Sequence, residues 1–137
     1  MPIIEVDMLI ALVNALDKFH QVAANFFNKI AAGKIKHIKV SSAAYLEYEL
    51  ILKSRSYLDS EIQKDLTAFR SFPNLGEAPL TLNVILTASK IREKYKLSYF
   101  DSLHAATAIL IDNEIISSDE DYQRVKGLKT IVPQKLV

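Results

Sequence analysis

The chain has 137 residues, half of them hydrophobic, with 17 basic and 16 acidic side chains and no cysteine. This length and hydrophobic content predict one folded domain, residues 1–137, and exclude a disordered chain. The balanced charge argues against a polybasic, non-specific nucleic-acid binder but allows a local basic groove, and the lack of cysteine excludes disulfides, thiolate zinc sites and cysteine nucleophiles. No apolar stretch is long enough to span a membrane, and the first residues do not resemble a signal peptide. We therefore expect a cytoplasmic protein.

Short apolar strands alternate with segments of helical periodicity along the chain. The second helix, from about residue 17 to 32, has apolar residues every three or four positions and stops before Gly33. This alternation predicts parallel βαβ units in an α/β fold, a three-layer α/β/α sandwich with a short parallel sheet. The predicted strands are 2–6, 37–41, 80–83, 114–117 and 130–132, and the predicted helices are 8–16, 17–32, 42–54, 60 onwards, 84–94, 101–111 and 119–125.

Polar residues mark several of the predicted helix starts. Asp7 has the type and position of an N-cap for the first helix. Capping-box spacing, a polar residue followed three positions later by an acid or an amide, favours further helix starts. It occurs at Ser60 and Gln63, at Ser98 and Asp101, and at Ser118 and Asp121.

Acidic residues lie at the junctions of these predicted elements. The carboxyl ends of parallel strands meet at one edge of a sheet, so folding could bring distant acids together there. A cluster of like charges needs a cation, and oxygen donors without thiols favour Mg²⁺ or Mn²⁺. Such sites most often act on phosphate esters. The acids concerned are Glu5, Asp7, Glu47, Glu49, Asp101, Asp119 and Asp121.

Four segments resemble the motifs of one known family. Residues 97–108 read Leu-Ser-Tyr-Phe-Asp-Ser-Leu-His-Ala-Ala-Thr-Ala, and residues 115–122 read Ile-Ile-Ser-Ser-Asp-Glu-Asp-Tyr. Residues 46–54 read Leu-Glu-Tyr-Glu-Leu-Ile-Leu-Lys-Ser, and residues 127–133 read Gly-Leu-Lys-Thr-Ile-Val-Pro. In this order and at this spacing they resemble the PIN domain family over essentially the whole chain. The resemblance implies a metal-dependent endoribonuclease, and the commonest bacterial and archaeal members are VapC-type toxins of toxin–antitoxin pairs.

The resemblance also implies roles for the acids and a set of partners. Mg²⁺ or Mn²⁺ would be the cofactor, RNA the substrate, a small antitoxin the partner, and a homodimer the expected assembly. The implied metal ligands are Glu5, Asp7, Asp101 and Asp119, and Glu47 would join them as a catalytic residue. Asp121, Glu49 and His104 would have supporting contacts only, and a buried, hydrogen-bonded histidine is the simplest interpretation of His104.

The first acidic motif departs from the family pattern, in which an Asp follows the first strand. Aligning the apolar run 9–12 places Glu5 at that position, with Asp7 beside it. Aligning on Asp identity makes Asp7 the ligand instead. A strand period of two would put both acids on the same side of the chain. Both alignments therefore remain open.

Each of these residues also has an ordinary structural explanation. Asp101, Asp119 and Asp121 could serve only as helix caps, which favour acids. Glu47 and Glu49 are about 200° apart around a helix, so they cannot both face one metal. We favour Glu47 because it matches the family motif. Four cations could hold the RNA backbone but are otherwise ordinary surface residues: Lys53, Arg55, Arg92 and Lys96.

Two other functions fit the same sequence. The altered first motif favours a non-catalytic PIN-like module that binds RNA or a protein. An RNA-processing or repair nuclease shares the toxin's chemistry and differs in its substrate.

Overall fold

A computed structural model describes the whole chain, residues 1–137. Its centre is a sheet of five parallel strands in the order β3-β2-β1-β4-β5. After β1 the chain adds β2 and β3 on one side of it, and then returns to add β4 and β5 on the other side. The direction of strand addition therefore reverses between β1 and β4. The strands are β1 (Ile3–Ile4), β2 (Lys39–Ser41), β3 (Gly76–Ala78), β4 (Glu114–Ile116) and β5 (Lys129–Ile131).

Six helices cover the two faces of this sheet. They are α1 (Val6–Val13), α2 (His20–Ala31), α3 (Ser42–Ser54), α4 (Asp59–Arg70), α5 (Leu82–Tyr95) and α6 (Tyr99–Ile111). Two short 3₁₀ turns, Glu120–Arg124 and Pro133–Leu136, flank β5. None of the helices combines the length and the hydrophobicity needed to cross a bilayer. The predicted α/β/α architecture is confirmed.

Adjacent residues of the central strands serve opposite faces of the sheet, as the strand period of two requires. Ile4 and Ile116 are paired neighbours, and both belong to the core formed with α1, α2, α3 and α4. Ile3 and Ile115 are the next pair, and both belong to the core formed with α5 and α6. All four side chains are fully buried.

The helices present the apolar stripes that their sequences predict. In α2 the fully buried residues are Ala23, Phe26, Phe27 and Ile30, which is one face of a 3.6-residue helix. In α6 the small residues Ala105, Ala106 and Ala108 are fully buried. Small side chains let α6 approach the sheet closely, and this approach fixes the position of its first turn at the carboxyl edge of the strands.

One predicted strand is wrong. Residues 80–83 are not a strand; the third strand is Gly76–Ala78, which pairs with Lys39–Ser41 of β2. Residues 82 and 83 instead begin α5, where the Thr81 side chain accepts a hydrogen bond from the Val84 N–H.

Three of the four predicted helix caps also need correction. The helix α1 begins at Val6, so Glu5 rather than Asp7 occupies the N-cap position, without a side-chain capping bond. The helix α4 begins at Asp59, and Glu61, not Gln63, accepts a hydrogen bond from a backbone N–H, that of Leu58.

The third correction concerns the turn after β4. Asp119, rather than Ser118, caps it by accepting a hydrogen bond from the Asp121 N–H at 2.9 Å. The cap at Ser98 is as predicted, because its hydroxyl accepts a hydrogen bond from the Asp101 N–H at 3.3 Å.

Candidate active site

The carboxyl ends of β1 and β4 meet at the point where the strand order reverses, which is where ligands gather in open parallel sheets. Glu5 follows β1 and is only 2% exposed. Ser117 follows β4, and its hydroxyl donates to Glu5 Oε1 at 3.3 Å. The same hydroxyl accepts the backbone N–H of Asp119 at 3.0 Å. Ser117 therefore ties the first acid of the chain to the loop that carries the last ones.

Tyr122 links Glu5 to the first turn of α6. Its fully buried hydroxyl lies 3.1 Å from Asp101 Oδ1 and 3.4 Å from Glu5 Oε2. A phenol has one proton, so it donates to the nearer Asp101 oxygen when both carboxylates are ionised. The hydroxyl thus bonds Asp101 and lies beside Glu5, which places two carboxyl groups close together although their residues are far apart in the chain.

Asp119 and Asp121 complete the outer side of the site. One carboxylate oxygen from each of Asp101, Asp119 and Asp121 lies within 4.8 Å of the other two. Asp121 also accepts a hydrogen bond from the Arg124 guanidinium at 2.9 Å. It is the only one of these three aspartates that has a basic partner.

Glu47 approaches the site from α3 and is held by a buried histidine. His104 Nε2 lies 2.8 Å from Glu47 Oε1, and His104 Nδ1 lies 3.3 Å from Ser41 Oγ. Phe100 lies against the imidazole with a ring-centroid distance of 6.4 Å. His104 is fully buried, as expected for a histidine with hydrogen bonds on both ring nitrogens.

We name six residues the acid cluster: Glu5, Asp7, Glu47, Asp101, Asp119 and Asp121. The negative charges of these carboxylates repel one another. Burial raises the pKa of Glu5 well above its usual range, and the charges of Asp7, Asp101 and Glu47 raise it further. Partial desolvation raises the pKa of Asp7, which is exposed at the mouth, and the charges of Glu47, Asp101 and Asp119 add to the effect.

The same causes act on Asp101. Desolvation raises the pKa of its carboxyl, and the charge of Asp119 raises it further, although hydrogen bonds with Ser98 and Tyr122 oppose the change. These acids lie close to one another in the folded chain, since the Tyr122 hydroxyl is within 3.4 Å of both Glu5 and Asp101 and an oxygen of Asp101 is within 4.8 Å of Asp119.

Four members of the acid cluster have no basic side chain to offset this repulsion. No lysine or arginine nitrogen lies within 4.0 Å of the carboxylates of Glu5, Asp7, Asp101 or Asp119. The donors are all carboxylate oxygens, the ligands that hard divalent cations prefer. The residues present therefore fit Mg²⁺ or Mn²⁺.

Three of the predicted contributors, Glu49, Lys53 and Arg55, lie outside this cluster. Glu49 is two residues beyond Glu47 on α3 and lines a different depression, together with Lys53 and Asp59. Lys53 pairs with Asp59 at 2.7 Å, near the end of α3 away from the site. Arg55, just beyond the same helix, lines a third cavity, which contains none of the acid cluster.

Arg92 and Lys96, in contrast, lie on the Asp101 side of the site. The Arg92 guanidinium donates to the hydroxyl of Ser102, the residue next to Asp101, at 2.6 Å. The carbonyl of Lys96 accepts a hydrogen bond from Arg124 at 3.4 Å.

Sequence reasoning did not identify Ser117 and Tyr122 as site residues. Both stand in the segment 115–122 beside the predicted acids Asp119 and Asp121, but their contacts depend on where β4 and the turn after it lie in space. The signal in the sequence is that Ser117 and Tyr122 flank the two aspartates Asp119 and Asp121.

The comparisons with known proteins identify the family. The PIN domain model matches residues 5–128. The chain belongs to the PIN domain family. The recognition made from the sequence motifs is therefore confirmed, and the match begins at Glu5. Among curated protein sequences, none matches the chain.

Solved structures of the same fold include several toxins. The fold is similar to a chain of VapBC2 from Rickettsia felis bound to a DNA fragment from its promoter, with a TM-score of 0.73 and 17% identity over 95% of this chain and 96% of that one. It is also similar to VapC20 of Mycobacterium tuberculosis, a sarcin-ricin loop cleaving toxin, with a TM-score of 0.72 and 17% identity over 90% and 93% of the two chains.

A third similar structure is a toxin–antitoxin complex from Klebsiella pneumoniae, with a TM-score of 0.67 and 17% identity over 97% of this chain and 98% of that one. At this identity the likeness establishes the fold. Membership of the PIN domain family supports a nuclease in general terms, and PIN domains generally use divalent metal ions.

Proposed function

We propose that residues 1–137 form a single PIN domain that acts as a Mg²⁺- or Mn²⁺-dependent endoribonuclease and as the toxin of a toxin–antitoxin pair. The observation that carries this proposal is the convergence of six carboxylates, of which only Asp121 has an arginine partner and only Glu47 a histidine partner. Such a concentration of negative charge is costly unless a cation neutralises it.

Four residues are the proposed metal ligands: Glu5, Asp7, Asp101 and Asp119. Glu5 is the inner one, because it directly follows β1, is buried and is oriented by the Ser117 hydroxyl. Asp7 lies at the mouth of the site, in the first turn of α1. When bound, the ion would lower the pKa of a water molecule and offset the charge that develops on the phosphate.

Glu47 is the proposed proton acceptor for the attacking water. His104 occupies one of its carboxylate oxygens, Oε1, at 2.8 Å, which fixes the orientation of the carboxylate. The other oxygen has no hydrogen bond within the protein and is free to accept a proton. A carboxylate held in this orientation is a more effective general base than one that rotates freely.

Three cations beside Asp101 are proposed to hold the RNA backbone. Arg92 and Arg124 are both anchored by hydrogen bonds, and the exposed Lys96 lies between them in the network. Guanidinium groups suit phosphate oxygens because they offer several donors in a fixed plane. This arrangement gives a positive margin next to the negative centre.

The partners are proposed from the similar structures and from the surface. Two of those structures contain a toxin–antitoxin pair, which supports a small antitoxin as the partner of this chain. Exposed apolar side chains on the adjacent helices α5 and α6 support a homodimer. They are Leu82, Ile85, Leu86 and Leu110, with 78%, 45%, 54% and 48% of their surface exposed.

Cleavage of a mixed RNA substrate with and without Mn²⁺ tests the proposal. The wild-type chain should cleave only with the metal, and Asp101→Asn should lower the rate by at least about 100-fold because a charged oxygen facing the ion is lost. Asp59→Asn, an equal change on the exposed pair with Lys53, is the matched control and should retain the rate.

A non-catalytic RNA-binding module is the second candidate. It is favoured by the Glu that stands where the family motif has an Asp. RNA binding by the wild-type chain, without cleavage at any Mg²⁺ or Mn²⁺ concentration, would support this candidate and contradict the nuclease.

A further inference from the structure

A cavity of about 270 Å³ opens beside the acid cluster. It lies between the first turns of α1, the segment before α2 and the loop after β4. Its walls are partly apolar and its rim is polar. The residues that matter for its chemistry are Asp7, Met8, Asp17, Phe19, Val22 and Ser118.

This cavity is continuous with the proposed active site. Asp7 lines it and also lies close enough to Glu47, Asp101 and Asp119 for their charges to act on it. Ser118 lines it and is the residue between Ser117 and Asp119 in the loop after β4. A group bound in the cavity would therefore lie directly beside a phosphate held at the acid cluster.

We propose that this cavity binds a nucleobase of the RNA substrate next to the cleaved phosphate, and that it selects bases with an exocyclic amino group. The inference rests on the proposed ribonuclease function. Proteins commonly read single-stranded RNA by placing an unstacked base against an aromatic side chain and bonding its polar edge. The cavity offers both features, with Phe19 in its wall and carboxylates at its rim.

Asp17 accounts for the selection. Its Oδ1 accepts the backbone N–H of Phe19 at 2.9 Å, which fixes the carboxylate at the rim. Its second oxygen has no hydrogen bond within the protein and can only accept. Adenine, cytosine and guanine present amino donors, whereas uracil presents carbonyl acceptors on both sides of its one N–H. A carboxylate at the edge of the base therefore disfavours uracil.

Lys18 adds a cation at the entrance. Its ammonium group is 5.0 Å from the centroid of the Phe19 ring, and its side chain is exposed. It is thus free to move onto a phosphate oxygen when a base occupies the cavity. Lys18 lines the cavity and forms no ion pair with a carboxylate of the acid cluster, so it does not compete with the proposed metal.

NMR titration of the full chain with nucleoside 5′-monophosphates tests the proposal without requiring cleavage. AMP, CMP and GMP should shift the side-chain signals of Met8, Phe19 and Val22. UMP should bind about tenfold more weakly, which is the difference expected for a lost hydrogen bond to a charged group.

Two variants test the assigned contacts. Asp17→Asn keeps an acceptor for the Phe19 N–H but converts the free oxygen into a donor, so the preference should shift toward UMP. Phe19→Leu should weaken the binding of all four nucleotides by about tenfold, because stacking on the aromatic ring is lost. Phe72→Leu is the matched control, since Phe72 is half-buried against the same core but does not line the cavity, and binding should not change.

Equal binding of UMP and the amino nucleotides by both the wild type and Asp17→Asn would overturn the selection. Shifts confined to the surface around Arg92 and Arg124 would overturn the cavity as a base site. The nuclease proposal fails separately, through RNA that remains uncleaved in Mn²⁺. Loss of cleavage with retained nucleotide selection would contradict the nuclease and leave the base site standing.

Discussion

Ile4 and Glu5 are neighbours in the chain and almost equally buried, at 0% and 2% exposure, but their surroundings are opposite. Ile4 packs among apolar side chains that need no further partner. Glu5 faces other carboxylates and is approached by two hydroxyl groups but by no basic side chain. The side chains of the apolar core therefore satisfy one another. At the carboxyl ends of β1 and β4, in contrast, the Glu5 carboxylate has no basic partner.

The difference has an energetic meaning. Burial of apolar area stabilises the fold, whereas burial of a cluster of carboxylates costs stability unless they are protonated or a cation is bound. A cluster of carboxylates that lowers the stability of the free protein is most simply explained as a binding site for a cation. The core and the acid cluster should therefore respond in opposite ways to substitution.

The largest expected effect is on the core. Phe26 is fully buried in α2 and contacts the Phe27 ring edge-on at 5.6 Å. Phe26→Ala should lower the free energy of unfolding by about 3–5 kcal/mol, because contacts are lost and a cavity remains. Urea denaturation measures this loss. A loss below about 1 kcal/mol would show that α2 is not part of the stabilising core.

The next effect separates the two glutamates of α3. Glu47→Gln should reduce metal-dependent RNA cleavage about 10- to 100-fold, since the carboxylate that His104 orients is lost. Glu49→Gln is the same change two residues away, outside the acid cluster, and should leave the rate within about twofold of wild type. Equal losses in the two variants would remove Glu47 from the proposed mechanism.

The smallest effect concerns stability and pH in the absence of metal. The pKa values of Glu5, Asp7 and Asp101 are raised in the folded chain, so it binds more protons than the unfolded chain from about pH 4 upward. The free energy of unfolding therefore falls as the pH rises through the raised pKa values. The metal-free protein should melt at a higher temperature at pH 5 than at pH 8.

Glu5→Gln should reduce this dependence. At pH 8 without metal it should raise the melting temperature by a few degrees, the change expected for about 1 kcal/mol. With Mn²⁺ the wild type should gain stability, and the variant should gain less. A wild-type melting temperature that rises from pH 5 to pH 8 without metal would contradict the charge repulsion inferred for the acid cluster.

The same contrast explains which parts of the fold could be predicted from sequence. The buried stripe of α2 follows from its periodicity, because many apolar residues repeat the same signal. The strand β3 could not be predicted, since Gly, Glu and Ala all have low β propensity and three residues carry little pattern. The neighbouring segment 80–83, which is the predicted strand, instead contains Leu82 at the start of α5 and Leu80 just before it.

The site was predictable in its acids and less so in its hydroxyl groups. Parallel strands bring the acids that follow β1 and β4 to one edge, and this follows from topology. The contacts of Ser117 and Tyr122 depend on side-chain direction, which no spacing in the sequence specifies. The argument that a strand period of two places Glu5 and Asp7 on one side was wrong, because β1 ends at Ile4 and Asp7 lies in α1.

The most direct test of the central claim is the anomalous difference density of Mn²⁺ in a crystal of the wild-type chain. The acid cluster should contain a peak about 2.0–2.3 Å from carboxylate oxygens of Asp101, Asp119 and Glu5 or Asp7. Crystals of Asp101→Asn should lose most of that peak. A fully soaked crystal with no Mn²⁺ in the acid cluster, or with Mn²⁺ bound only elsewhere, would contradict the account.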